Sequence, residues 1–228
     1  MSKENFYDTI AEDFDSIMNM YDTNRRIEVI FQDFLGAENL KGKTLLDAGC
    51  GTGLFTTKAV ERGADVTSID IAPKLVEITK RKNPSVTAIA ASIMELPFEN
   101  NSFDIVISSD VIEHTPEPYV STKEMIRVLK PGGQLCITVP NRSFWFFSVK
   151  IANKLNLRDY KGLENWVHFD EFKNFLIKNN IKINSYKGIH LFPFVVPSLN
   201  SLLYKIDKKT DTKLGKFMVN IAAFGTKI

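Results

Sequence analysis

The amino-acid sequence predicts an α/β protein built on a doubly wound, mostly parallel sheet, and three observations carry that expectation. A short apolar run ends at Asp47 and is followed by glycines at positions 49, 51 and 53, the pattern of a buried strand that turns sharply into a helix. A second run, 65–70, ends in another acid about 20 residues beyond the glycines, where such folds place a ribose-binding carboxylate. Further apolar runs at 86–91, 103–109 and 134–139 alternate with helical patterns as far as residue 140, as βαβ units require.

The elements follow in order. Residues 1–40 read as a helical cap: Phe6, Ile10, Phe14 and Ile17 recur at helical spacing with acids between them, which by itself describes a surface helix with a solvated acidic face. A second helix is expected over 23–36, stopped near Gly36, and carries Arg25 and Arg26. The first strand delivers Asp47 to the loop Ala48-Gly-Cys-Gly-Thr-Gly53. Glycines there let backbone approach a ligand closely, and the helix expected over 52–61 presents its unpaired N–H groups to something electron-rich. Asp70 is placed to accept two ribose hydroxyls; its alternative is an N-cap, because Pro73 opens the next helix. Strand four brings Ser108, Ser109 and Asp110 to the same edge, followed by Val-Ile-Glu113-His114 and a helix to 129. Lys130-Pro-Gly-Gly133 stops that helix before strand five at 134–139.

The glycine register separates the nucleotide classes. G-x-G-x-x-G fails, since the third position is Leu54 or Thr56, and no G-K-S/T exists, so neither a dinucleotide fingerprint nor a P-loop is present. The spacing D-x-G-x-G-x-G (47–53) resembles the first motif of class I S-adenosylmethionine (SAM)-dependent methyltransferases. Leu96-Pro-Phe through Phe103-Asp104 and Arg127-Val-Leu-Lys-Pro-Gly-Gly133 match the same family in order and spacing, so the resemblance covers about 44–140. It implies a Rossmann-like, seven-stranded sheet whose last, antiparallel strand is 216–227, SAM as cofactor and S-adenosylhomocysteine as product. The implied cofactor contacts are Asp47 near the methionine ammonium, the loop at Gly49, Cys50, Gly51 and Gly53, and Asp70 and Ile71 at the ribose. Ser92, where an acid is usual, and Ile93 would meet the adenine, with Ser109 and Arg26 toward the methionine end. The pattern 6–15 also resembles the segment that related enzymes fold over bound SAM.

Beyond 140 the chain is less generic. Phe144-Trp-Phe-Phe147, Val149, Ile151 and Leu155, with Lys150, Lys154 and Arg158, make an aromatic and basic insertion over 141–167. It reads as a lid over an apolar acceptor, an interfacial helix touching the membrane peripherally through 143–158, or aromatics packed on the domain. Helix 170–179 and strand 181–187 follow, then the stiff apolar loop Phe192-Pro-Phe-Val-Val-Pro197 and a mildly basic segment at Lys205, Lys208, Lys209 and Lys213. The whole reads as one domain: cap 1–40, SAM-binding core 44–140, lid 141–167, and C-terminal helix and strands 168–228.

Methyl transfer from a sulfonium is an in-line displacement that asks chiefly for alignment. An oxygen nucleophile adds the need for a base, since a phenol has a pKa near ~10. Of His114, His168 and His190, His114 follows the strand-four edge and is the first choice, with Glu113 orienting it and His168 second; His114 reads equally as a helix cap or cofactor contact. Asp110-Val-Ile-Glu-His114 is similar to a segment of the ubiquinone-pathway O-methyltransferases, some of which bind a divalent cation there, although three ligands in five residues make no metal site by themselves. The expected activity is methylation of a small, partly apolar acceptor at oxygen, with a sugar or amine acceptor as the alternative. A non-catalytic SAM-binding module and an NAD-dependent oxidoreductase are the competing classes. No Asn/Asp-Pro-Pro-Tyr/Phe follows strand four and no Pro-Cys pair exists, which argues against base or amide-nitrogen methylation and a thiolate-based cytosine mechanism.

Composition agrees. In 228 residues with 44% hydrophobic content there is enough to bury one core. Twenty-nine basic against 27 acidic side chains give +2, too balanced to argue for nucleic acid. Cys50 and Cys136 cannot build a disulfide framework or zinc set. With no signal-like start and no run of about 18 apolar residues, a cytoplasmic protein, peripheral at most to a membrane, is expected.

Overall fold

The structure, a computed structural model, describes residues 3–36, 39–154, 164–192 and 200–228. Seven strands form one sheet in the order β3-β2-β1-β4-β5-β7-β6: β1 Thr44–Ala48, β2 Asp65–Asp70, β3 Thr87–Ala90, β4 Phe103–Ser109, β5 Leu129–Pro140, β6 Ile181–Ile189 and β7 Asn220–Lys227. The first five pair in parallel, and β7 runs antiparallel between β5 and β6. β1 is buried on both faces: successive leucines point to opposite sides, Leu46 into a core with Ile69, Val106 and Phe172, and Leu45 into one with Phe31, Phe55 and Ile107. Because β1 lies between β2 and β4, strand order reverses there, and a crevice opens at the carboxyl ends of these strands.

Helices cover both faces: α1 Lys3–Ile10, α2 Phe14–Ile17, α3 Met20–Glu28, α4 Leu54–Glu61, α5 Pro73–Lys82, α6 Pro118–Val128, α7 Trp145–Lys154, α8 Phe169–Lys178 and α9 Asn200–Thr210. Several expected boundaries move for physical reasons. The cap is not one periodic stripe: within α2 Phe14 packs against Ala11 and Leu75 while Ile17 is 61% exposed, and the chain becomes extended after both, at Met18 (ψ 141°). α3 starts earlier than expected because Asn19 caps it, its Oδ1 accepting from the N–H groups of Tyr21 and Asp22, and it continues through a π-helical turn, Val29–Phe34. α4 starts at Leu54 because Gly53 is left-handed, φ +87°.

The Lys-Pro-Gly-Gly stretch belongs to β5 and not to a stop before it. Leu129 is already extended and pairs with Phe103, and Pro131 keeps Lys130 extended. β7 begins at Asn220, since 215–217 form a 3-10 turn. Of the basic segment, Lys205, Lys208 and Lys209 lie on α9, and Lys208 pairs with Glu28 at 2.7 Å. The side chains of Val149 and Ile151, residues Leu155 and Arg158, and the loop 193–197 fall outside the described residues. Among those described, no helix is long and apolar enough to cross a membrane.

Candidate functional site: a cleft at the carboxyl edge of the sheet

A cavity of about 210 Å³ opens where β1, β2 and β4 end, lined by the glycine loop, Asp70 and Ile71, Ser92 and Ile93, and Ser109, Asp110, Val111 and His114. The loop is held from beneath. Gly49 and Cys50 donate to the Ile69 carbonyl at 2.9 and 2.8 Å, Gly51 N–H donates to Asp70 Oδ2 at 3.0 Å, and Thr79 Oγ1 donates to the Gly51 carbonyl at 2.9 Å. Gly49 (φ +90°) has no room for a side chain, since a Cβ there would stand 2.4 Å from the Val111 methyls. A Cβ on Gly51 would meet Phe14 at 3.2 Å. Phe14 and Tyr7 form the roof, their rings edge to face at 6.2 Å, and Tyr7 reaches the His114 ring at the same distance. The roof is fastened by Asp15, which accepts from Thr52 Oγ1 and pairs with Lys82 at 2.7 Å, and by Asp8, which accepts the Lys74 N–H.

The acids of this edge are poorly compensated. Asp47 is 2% exposed and does not line the cavity; it lies under the loop, accepting from Thr56 Oγ1 at 2.6 Å, and burial lifts its pKa to about 7. Asp70 is raised by burial against the pull of the Ala72 and Gly51 N–H groups, and each oxygen keeps a second lone pair for a ligand. Burial lifts Asp110 to about 6 although Arg26 Nε stands 3.4 Å away. Burial and Asp110 push Glu113 well above the carboxylate range; it is 2% exposed, its Oε2 has no partner, and its Oε1 is 3.7 Å from His114 Nε2.

The sequence-predicted residues therefore divide. Gly49, Cys50, Gly51, Asp70, Ile71, Ser92, Ile93, Ser109, Arg26 and His114 meet at one cavity. Two expectations, Gly53 and His168, are corrected, and Asp47 lies beneath the loop and not in the cavity. Gly53 faces Thr79 and Asn83 beneath the loop, where a Cβ would be 3.0 Å from Thr79 Oγ1. His168 is exposed as the residue before α8, away from the cavity. Arg25, one helical step from Arg26, points elsewhere, 3.0 Å from Glu28 and beneath the Tyr204 ring. No metal-holding group of three His, Cys, Asp or Glu occurs among the described residues. Met18, Leu75 and Met94 line the cavity without a signal in the sequence, because an apolar residue facing a ligand reads like one facing a core.

None of the described insertion residues lines this cavity. The insertion instead grips the turn that carries His114: Asn165 N–H donates to the Glu113 carbonyl and its Nδ2 to that of Thr115, both at 2.7 Å. Trp145 is tied down through Nε1 to the Leu191 carbonyl at 2.9 Å, while Phe144 and Phe147 are 72% and 61% exposed.

Comparison with known proteins fits this geometry. Residues 46–137 match the family described as a methyltransferase domain. A demethylmenaquinone methyltransferase of Renibacterium salmoninarum is 34% identical over 139 residues, 57% of this chain and 58% of the relative. A ubiquinone biosynthesis O-methyltransferase of Xanthomonas oryzae pv. oryzae is 34% identical over 126 residues, 53% of each chain. The chain thus spans about half the length of the curated relatives it matches. A solved SAM-dependent methyltransferase of Thermotoga maritima superposes with a TM-score of 0.69 over 98% of this chain and 99% of its own, at 17% identity, a likeness of fold.

Proposed function

We propose that this chain, which belongs to the class I SAM-dependent methyltransferase family, transfers a methyl group from SAM to the oxygen of a small, partly apolar acceptor. The observation that carries the reading is the lining of one cavity by a glycine-rich loop, a carboxylate with spare lone pairs, an apolar slot and a guanidinium. These suit the parts of SAM in turn. Asp70 would take the ribose hydroxyls, Ile93 and Ile71 the faces of the adenine, and Ser92 an adenine edge; Ser92 Oγ already accepts the Met94 N–H at 3.2 Å. Arg26, held at 2.8 Å from Ser109 Oγ, would meet the carboxylate by a charge-assisted bond. Asp47, one layer below, would act through the loop it supports.

Bound SAM supplies a sulfonium-activated methyl carbon. The chain's own work is to hold the acceptor oxygen in line with that carbon, which is worth ~7–11 kcal/mol of the barrier when alignment is good, and to take the acceptor's proton. His114 stands at the cavity and is the group for that proton, with the buried Glu113 behind it. A partly apolar acceptor is supported by the two quinone-pathway names among the relatives and by the exposed Phe144 and Phe147, beside which Lys150 and Arg142 sit over the Phe146 ring. Such a face could rest on an anionic lipid surface.

Titration calorimetry with SAM, S-adenosylhomocysteine and NAD, repeated on Asp70→Ala, tests the cofactor. Binding of SAM and S-adenosylhomocysteine that the variant loses is expected; NAD binding, or silence from SAM in folded protein, would sink the proposal. Methyl transfer to a panel of phenols, amines and sugars then decides the acceptor atom, and a turnover with amines alone would reassign it.

A further inference from the structure

A chain of buried polar side chains leads from the cleft to the antiparallel edge of the sheet. At its inner end Arg26 donates Nη1 to Ser109 Oγ and Nε to Asp22 Oδ2, at 2.8 and 2.9 Å. The other oxygen of Asp22 is 3.0 Å from His190 Nε2 and accepts Asn220 Nδ2 at 3.2 Å. His190 Nδ1 stands 3.5 Å from Asp207 Oδ2, and Asp207 Oδ1 accepts the Leu191 N–H at 2.8 Å. Asp22, Arg26, His190, Asp207 and Asn220 are all buried.

We propose that His190 is a positioning residue for the cleft: clamped between Asp22 and Asp207, it fixes the Asp22 carboxylate and through it the direction of the Arg26 guanidinium. The proposal rests on the reading of the cleft as a SAM site. His190 sits directly after β6 with φ +62°, a conformation unusual for a residue with a side chain, found where surrounding structure imposes it. That turn aims the ring inward between the two acids. Without the ring, Asp22 would keep only Asn220 on that oxygen. Burial would then favour its neutral form, and the charge-assisted bond to Arg26 would weaken. Arg26 has an alternative within reach, Asp110 at 3.4 Å, so a loosened guanidinium would swing within the cleft. The charged and titratable groups facing His190 are Tyr21, Asp22 and Arg26 from the α3 region, Asp207 from α9 and Asp110 after β4. Bonds to Asp207 and Asp22 outweigh burial and raise its pKa.

Two substitutions separate positioning from turn-making. In His190→Gln the amide nitrogen takes the place of Nε2 and keeps Asp22. In His190→Asn it takes the place of Nδ1 and keeps only Asp207, although asparagine suits a left-handed backbone better. The expected result is S-adenosylhomocysteine affinity within about threefold of wild type for Gln, and weakened about tenfold for Asn, against the order of their melting temperatures. Asn binding as well as wild type, or both variants losing affinity in proportion to stability, would make His190 a turn residue only. Should both fail to fold, Asp207→Asn serves: the pH at which affinity falls, as His190 loses its proton, should move down relative to wild type, and an unmoved midpoint overturns the proposal. Silence from the wild type with the ligand overturns the cofactor reading and this proposal together, whereas wild-type binding with indifferent variants overturns this proposal alone.

Discussion

The two ends of the parallel strands treat their carboxylates in opposite ways. At the amino end, Asp104 accepts from the Thr44 N–H at 2.9 Å, the Thr44 hydroxyl at 2.8 Å and Lys130 Nζ at 3.0 Å. Burial works to lift its pKa, yet those donors hold it at about 2. At the carboxyl end, burial takes Asp47 to about 7 and Asp110 to about 6, and it lifts Glu113 well above its ordinary range with an oxygen left unpartnered. The amino end completes its own charges. The carboxyl end leaves them incomplete, a pattern that costs stability and is common where a ligand is to supply the missing partner.

The sharpest break in this comparison should come at Gly49. Its φ of +90° and the Val111 methyls 2.4 Å from any added Cβ leave an alanine no relaxed position, so Gly49→Ala should lose S-adenosylhomocysteine affinity by about 100-fold or more. Stability should fall by about 1–3 kcal/mol, the usual penalty of overpacking. Calorimetry beside thermal melting checks both, and full binding by the variant would mean that close backbone approach is not what the loop provides.

Asp47→Asn tests the incomplete end from the other side. A carboxyl whose folded pKa is raised to about 7 holds its proton in the folded protein over a range where the unfolded chain has lost it. Its contribution to stability therefore declines as pH rises from about 4 to about 7. Asparagine, still accepting from Thr56, mimics the protonated form throughout. Wild type and variant should melt alike near pH 4, and the variant should be more stable by pH 8, on the order of 2–4 kcal/mol, while its ligand affinity falls. Equal melting across that range would show the acid to be better compensated than its surroundings suggest.

What was legible in the sequence follows the same division. The glycine loop and Asp70 could be read because backbone approach and a strand-end acid need particular residue types at fixed spacing, whatever surrounds them. Asp47 was legible as an element boundary, but its depth beneath the loop depends on Thr56 and Ser68, which come together only through packing. Arg25 and Arg26 are adjacent in sequence and face different partners, and only the docking of α3 decides between them. The sequence neighbours of His168 single it out, and those of His190 do not. The latter's role depends on Asp22 and Asp207, respectively 168 and 17 positions away. The roof was half-legible: the pattern at 6–15 marked the segment, while the opposite facing of Phe14 and Ile17 within one short helix, and the extended break that follows at Met18, left no trace in the apolar spacing.

At the completed end, Asp104→Ala removes an acceptor from Thr44 and Lys130 and should cost about 1–2 kcal/mol at pH 7, the ordinary worth of hydrogen bonds to a carboxylate. Because the folded pKa is depressed, that stabilisation is whole above about pH 4 and disappears as pH falls through about 2. Denaturation curves for wild type and variant should converge in strong acid. Ligand affinity should not change, and a variant that lost binding would show the two ends to be coupled.

The smallest effect on the fold should come from Phe144 and Phe147, which belong to neither end. At 72% and 61% exposure they bury little against the domain, so Phe144→Ser with Phe147→Ser should shift stability by no more than about 0.5 kcal/mol and leave cofactor affinity alone. Their expected effect is on association with vesicles containing anionic lipid, because two solvent-facing aromatics beside Lys150 and Arg142 combine an apolar wedge with positive charge. Co-sedimentation that the double variant abolishes, and that salt weakens, would assign this face to a lipid surface. If the wild type stays in the supernatant, or the variant sediments equally, the aromatics serve the acceptor or a protein partner. A destabilised variant would instead mean that the rings pack in solution more closely than their exposure indicates.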